Sequence, residues 1–178
     1  MKQGTKSEAL TDALTDAVAQ IGDDPRLSAL LASVQQMTGM GFVAIAYVSG
    51  DRWICSQVED DIAFGLAPGD ELEVRKTICD EVRQYGSEII IDDTRADPDW
   101  WNHPVPLLYG FRSYLSVPLI VDGKFFGTLC AIDPAPRDRP LAEVSAAVKA
   151  IAEKSAQLLV QRLGERPDLA AAMPMTDR

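Results

Sequence analysis

Apolar residues recur along this chain in two periods, and the switches between them mark its elements. From about Lys6 to Ile21, the positions Leu10, Ala13, Leu14, Ala17, Val18 and Ile21 keep helical spacing until Gly22 stops the run. "DDPRLSALLASVQQMTG" predicts a second helix, with Asp24 as N-cap, Pro25 at the first helical position and Gly39 as the stop. Its stripe is Leu27, Leu30, Leu31, Val34 and Met37. "FVAIAYVSGDRWICSQV" reads as two strands joined across Ser49-Gly50-Asp51. The acidic "EDDIAFGLAPGDE" is loop, "LEVRKTICDEVRQYG" is helix ended by Gly86, and "SEIIIDD" is a short strand. "TRADPDWWNHPVPLLYG" reads as a long structured loop with room for one helical turn. Long loops in compact domains are uncommon and often functional.

The most patterned stretch is "GFRSYLSVPLIVDGKFFGTLCAID", where Asp122-Gly123 separates two apolar runs and predicts a two-residue type I′ hairpin. Residues directly opposite share a face. Unbroken pairing puts Leu115, Val117, Leu119, Phe126, Thr128, Cys130 and Ile132 on one side, apolar enough to lie beneath helices. The other side carries Tyr114, Ser116, Pro118, Ile120, Phe125, Gly127, Leu129 and Ala131. Its far end is smaller and more polar; buried hydroxyls need partners, and Gly127 leaves room for a close approach. Two readings stay open: a loop-roofed cavity bounded by Tyr114, Ser116, Gly127, Leu129 and Ala131, or a core whose hydroxyls bond loop backbone.

After the proline-rich turn "DPAPRDRP", a last helix from about Leu141 to Leu163 places Leu141, Val144, Val148, Ile151, Ser155 and Leu158 on an alternating three-and-four seam. That seam can pair with a second copy or pack on the chain's own sheet. The tail "ERPDLAAAMPMTDR" reads as disordered. The chain divides into an N-terminal helix or linker (1–22), one domain (23–163) and a tail (164–178). The element order needs few parallel crossovers and predicts an α+β architecture: a mostly antiparallel sheet with helices on one face.

The 178 residues suit a single full-sized core. With no apolar h-region at the N-terminus and no run of the roughly 18–20 apolar residues that a membrane span needs, the chain reads as cytoplasmic. Net charge is −10, and residues 51–100 hold fourteen acidic against five basic side chains. Such a field repels a polyanionic backbone, which argues against nucleic-acid binding and leaves a small ligand in a pocket unaffected. The three cysteines, Cys55, Cys79 and Cys130, lack C-x-x-C spacing and read as free thiols; with one histidine, His103, they do not space as a zinc site.

Several residues admit two roles. Trp100 and Trp101 can cap a cavity or anchor their loop. Asp92 and Asp93, at a strand end, can accept from a ligand or cap loop backbone. With Asp97 and Asp99 they suggest calcium, but the EF-hand pattern fails at Arg95 and Pro98. Cys79 sits beside Asp80 and Glu81, which should raise its pKa and leave it a small buried hydrophobe. No Ser-His-Asp set and no phosphate-cradling glycine loop is present.

"RSYLSVPLIVDGKFFGTLCAIDPAPR" resembles the C-terminal half of a GAF domain, where "S-x-L-x-V-P-L…(D)G…G-T-L-C-x-x-D" is characteristic. "FVAIAYV", "RWICSQV", "ICDEV" and "EIIIDDTRADPDW" agree in order, so the likeness runs from about Leu27 to Leu163. It is most similar to N-terminal GAF domains of bacterial sensor histidine kinases and diguanylate cyclases. The resemblance implies five or six antiparallel strands, a small-molecule pocket roofed by the loops before the hairpin, and dimerisation through terminal helices that pass a signal to an output domain. Within that resemblance, Tyr114, Ser116, Gly127, Leu129, Ala131, Trp100, Trp101, His103, Asp92, Asp93 and Cys79 are the candidate ligand contacts. The ligand itself is left unnamed. No cysteine precedes a histidine, as bilin attachment usually asks; the asparagine of the cyclic-nucleotide signature is out of place; only His103 could ligate haem, and its neighbours suggest a turn. The reading is a non-catalytic sensor. The alternatives are a dimerisation module with an empty cavity and, since the fold also hosts free methionine-R-sulfoxide reductases, a thiol enzyme whose cysteine pattern this chain does not follow.

Overall fold

The computed structural model describes residues 5–175, with side chains from Ala13 onward, so the Leu10 side chain and the last three residues of the tail lie outside the described residues. The elements are α1 (Thr5–Gly22), α2 (Pro25–Thr38), β1 (Phe42–Val48), β2 (Trp53–Asp60), β3 (Glu71–Leu72), α3 (Cys79–Tyr85), β4 (Ile89–Ile91), α4 (Pro104–Tyr109), β5 (Ser113–Val121), β6 (Lys124–Asp133), α5 (Ser145–Glu165) and α6 (Pro167–Ala172). The strands form one antiparallel sheet in the order β3-β2-β1-β6-β5-β4. The α+β architecture is the expected one. The long helices α1, α2 and α5 cover one face, and loops with the short helices α3 and α4 cover the other. No helix among the described residues is long and apolar enough to cross a membrane.

Local chemistry sets the helix ends. Asp24 is extended and accepts the Arg26 amide at 2.8 Å, while Gly39 takes the left-handed conformation (φ 70°) that ends α2. Arg162 of α5 reaches this junction, donating to the carbonyls of Gln20 and Ile21 at the end of α1 and lying 3.6 Å from Asp24. Three helices are thereby tied at one corner.

The hairpin turn is as predicted, with Asp122 (φ 51°) and Gly123 (φ 74°) both left-handed. The register beyond it is not. Ile120 pairs with Phe125 but Leu119 pairs with Gly127, so Phe126 and Gly127 together oppose Leu119 in a β-bulge. One extra residue reverses the facing of everything after it on β6. Leu129 and Ala131 therefore join Leu115 and Val117 in the core beneath the helices, whereas Cys130 and Ile132 face the same side as Tyr114. This corrects the expected position of all four. Gly127 is corrected too: a Cβ there would lie 1.8 Å from the Ala46 carbonyl oxygen. The glycine lets β6 and β1 approach each other and opens no room for a ligand.

The seam of the last helix packs within the chain. Val148, Ile151 and Ser155 are buried against β5 and α2, and Ser155 satisfies its hydroxyl on the Ile151 carbonyl at 2.9 Å. The tail, expected to be disordered, instead turns at Pro167 and returns as α6, burying Leu169 and Met173 in the helix-side core. Tyr47 donates its hydroxyl to the Pro174 carbonyl. The middle helix starts later than its apolar spacing suggested, because Glu71–Leu72 pairs with β2 as β3 and Val74–Lys76 forms a single 3-10 turn.

Candidate functional site

The site lies between the sheet and its loop-side cover. Its floor comes from alternate residues of the central strands: Trp53 and Cys55 on β2, Phe42 and Ala44 on β1, Cys130 and Ile132 on β6, and Tyr114 on β5. Its roof is a strap shaped by Asp60, whose carboxylate accepts the amides of Ile62 (3.1 Å), Phe64 (3.0 Å) and Gly65 (2.9 Å). Ala63 is held at φ 54°, uncommon for a residue with a side chain. The strap sets the Phe64 ring against Phe42 (centroids 4.8 Å apart) and Tyr109 of α4 (5.9 Å). His103 caps α4 by accepting the Val105 amide at Nδ1 (3.2 Å), and Pro104 follows it.

Two spaces result. The inner cavity, about 40 Å³, is bounded by Trp53, Ile78, Cys79, Tyr114 and Cys130 among others. The outer groove, about 430 Å³, shares Phe64, Leu66, Tyr109, Phe111 and Ile132 with it and opens outward past Leu108. Neither has a Lys, Arg, His, Asp or Glu in its lining.

Polar chemistry concentrates at the inner end. Thr128 donates its hydroxyl to the Cys79 sulfur at 3.2 Å, the Tyr114 hydroxyl lies 3.3 Å from it and the Ser116 hydroxyl 3.9 Å. Contact with Cys130 pushes the Cys79 pKa down to about 6 against the opposing effect of burial, helped by Thr128, Tyr114 and the nearby Trp53 indole. The same contact, with burial, drives the Cys130 pKa well up. Burial, together with the two neighbouring sulfurs, likewise raises Tyr114 and keeps it a neutral donor. Cys55, outside the cluster, is pushed up to about 12 by burial. The expectation that Asp80 and Glu81 would raise the Cys79 pKa is corrected by their engagement elsewhere: Asp80 accepts from Arg83 (3.0 Å) and Gln84 (2.9 Å), and Glu81 faces His103 (3.7 Å). The Trp53 indole N–H is buried and makes no hydrogen bond.

Of the residues singled out from sequence, the structure brings Cys79, Tyr114 and Ser116 together. The rest stand elsewhere. Trp100 packs on His103 (4.8 Å) and against the loop-side core, and Trp101 is 62% exposed; both line a neighbouring groove that shares Gly110, Phe111 and Pro134 with the outer one. Asp92 accepts the Leu141 amide (2.8 Å) and Asp93 holds Arg112 (2.7 Å), so both fasten loops. Trp53, Thr128 and Cys130 were missed as site residues. Trp53 and Cys55 alternate on one face of β2, which the sequence could have shown; Cys130 was hidden by the bulge. Among the described residues no three His, Cys, Asp or Glu side chains gather as a metal site.

A family model of the GAF domain matches residues 24–163. The chain belongs to the GAF domain family. Among solved structures, this GAF chain is similar to the blue-light-absorbing form of the PixJ GAF domain of Thermosynechococcus elongatus (19% identity, TM-score 0.60, 90% of this chain and 94% of that one). It is also similar to the Stigmatella aurantiaca phytochrome photosensory core module (17%, 0.62, 92% and 39%). A third likeness is to the free methionine-R-sulfoxide reductase of Neisseria meningitidis in complex with its substrate (17%, 0.54, 94% and 96%). At these identities the likeness is one of fold. No curated protein matches the chain in sequence.

Proposed function

We propose that this GAF domain is a non-catalytic sensory module that takes a small, uncharged, planar compound into the outer groove, with one hydrogen-bond acceptor reaching inward to the Trp53 N–H. The observation that carries this is the pairing of an uncharged, aromatic-walled groove with one unsatisfied buried donor at its inner end. A buried N–H without a partner costs about 1–3 kcal/mol, which an acceptor would recover. The absence of Lys, Arg, His, Asp and Glu from the lining disfavours a zwitterion such as methionine sulfoxide, whose carboxylate in particular finds no cationic partner there.

The route outward is β5. Tyr114 and Ser116 face the site while Leu115 and Val117 pack under the helices, so a shift of the strand is felt by α5. In this reading the module works in the cytoplasm, pairs as a homodimer through its terminal helices and biases an output domain of the histidine kinase or diguanylate cyclase type. The exposed face of α5, including Lys149, Ala150 and Glu153, supports a helix pairing.

A neutral lactone, coumarin, and a charged ring, benzoate, test the site. Coumarin should raise the melting temperature and quench tryptophan emission, benzoate should do neither, and Trp53→Phe should weaken coumarin at least several-fold. Equal binding of both compounds, or of coumarin to parent and variant, defeats the reading. The small inner cavity favours a second reading, an interaction module whose site stays closed. A stable dimer by light scattering with no thermal shift from any neutral ring would select it.

A further inference from the structure

The sheet register places a second thiol against Cys79. Cys130 pairs across the ladder with Ser116 and lies two residues from Thr128 on the same face. The Cys79 sulfur contacts both of those hydroxyls, so it sits over the patch of sheet from which Cys130 rises, and both cysteines line the inner cavity. Two thiols brought to one cavity are arranged for more than packing.

Three features select a reaction partner. The cavity is about 40 Å³, room for a very small molecule beside the sulfur. Its lining holds no Lys, Arg or His to pair with an anion, and the Cys79 thiolate repels one, so the occupant enters neutral. The buried Trp53 N–H lies near the Cys79 sulfur outside hydrogen-bond geometry and offers a donor to a polar atom beside it. We propose that Cys79 and Cys130 are a redox pair oxidised by hydrogen peroxide admitted to this cavity. The proposal concerns the covalent chemistry of the floor and stands whether or not the outer groove holds a ligand.

The Cys79 thiolate, held by donors from Thr128 and Tyr114, attacks one peroxide oxygen. A sulfur–oxygen bond forms, the oxygen–oxygen bond breaks, and the departing hydroxide takes a proton and leaves as water. Cys79 is now a sulfenic acid. The Cys130 sulfur, after giving up its proton, attacks the Cys79 sulfur; the sulfur–oxygen bond breaks and hydroxide leaves with that proton as a second water. The two thiols supply the two electrons that reduce one peroxide to two waters, and the event is stoichiometric. Because Cys79 opens α3 and Cys130 lies in the central strand β6, the disulfide ties the site's cover to the sheet. Cys55 takes no part and serves as an internal control.

The test uses the full reduced chain with near-stoichiometric hydrogen peroxide at neutral pH, followed by alkylation and non-reducing peptide mapping. The expected product is a Cys79–Cys130 linked peptide with Cys55 alkylated. Cys130→Ser should stop at a Cys79 sulfenic acid that dimedone captures, and Cys79→Ser should slow thiol loss at least tenfold. A Cys79 that oxidises no faster than Cys55, or disulfides only between chains, would overturn the proposal. The parent-chain mapping is decisive even if a variant fails to fold.

Discussion

The Thr128 hydroxyl donates to the Cys79 sulfur across 3.2 Å, joining the central strand to the first turn of a helix that covers it. A threonine hydroxyl buried in an apolar layer has to find an acceptor, and a thiolate is a better one than a thiol. The contact therefore favours the ionised sulfur and holds α3 in place at once.

One expected consequence is a thiol that titrates early. The Cys79 pKa is pushed down to about 6 by Cys130 and the surrounding donors, while Cys130 is driven well up and Cys55 reaches about 12. Thiolate absorbance should show one of the three cysteines ionising well below the ordinary thiol range in the folded chain. Thr128→Val, close in shape but without the hydroxyl, should move that midpoint upward. A parent midpoint near the ordinary thiol range, unmoved in the variant, would remove the basis for a special Cys79.

Gly127→Ala should be among the most damaging single changes in the sheet. The added Cβ meets the Ala46 carbonyl oxygen at 1.8 Å, a backbone atom of the central ladder with no rotamer to relieve it. Parting β1 from β6 loosens both cores, and the expected loss is about 3 kcal/mol or more, read as a fall in urea midpoint or failure to recover folded protein.

That same bulge divides what the sequence could show from what it could not. The Asp122-Gly123 turn, the capped helix α2 and the facing of Tyr114, Ser116, Leu115 and Val117 all follow from local signals: residues able to take left-handed φ, a polar cap before proline, alternation by two. The placing of Leu129, Ala131 and Cys130 does not, because one inserted residue reverses every later side chain and leaves no compositional mark beyond the adjacent Phe125 and Phe126. The site suffered accordingly. Tyr114, Ser116 and Cys79 were legible; Cys130 and Thr128 needed the register, and Asp92 and Asp93 needed the partners that fold only later in the chain, Leu141 and Arg112. The tail misled for another reason. "PDLAAAM" is too short to be helical alone, and α6 exists because Leu169 and Met173 find the core.

Asp24 should govern part of the acid limb of stability. Its pKa falls from 3.8 to about 2, chiefly through its hydrogen bonds to the Arg26 side chain, with Arg162 adding to the effect. A carboxylate lowered on folding contributes stability that is complete above the unfolded value and is lost as pH falls through the folded one. Asn at this position still caps the helix but cannot carry the charge. Asp24→Asn is expected to cost about 1–2 kcal/mol at pH 7, with the gap narrowing sharply toward pH 2 and vanishing below it. Urea titrations at pH 7, 4 and 2 measure the difference; a gap independent of pH would assign the effect to something other than the ion pairs.

The returning helix α6 should be part of the folded unit and not an appendage. Leu169 and Met173 are 4% and 2% exposed, Arg166 clasps Asp168 at 2.8 Å, and the Tyr47 hydroxyl on β1 closes on the Pro174 carbonyl. Removing a buried leucine side chain costs about 2–5 kcal/mol where the surroundings cannot collapse, and less near a chain end that can adjust. Leu169→Ala is expected to lower stability by about 2 kcal/mol, and ending the chain at Glu165 by at least as much, because the truncation also strips Met173 from the core and the acceptor from Tyr47. Urea midpoints of the two variants against the parent measure this. A truncated chain as stable as the parent would mean that α6 contributes nothing to the folded unit.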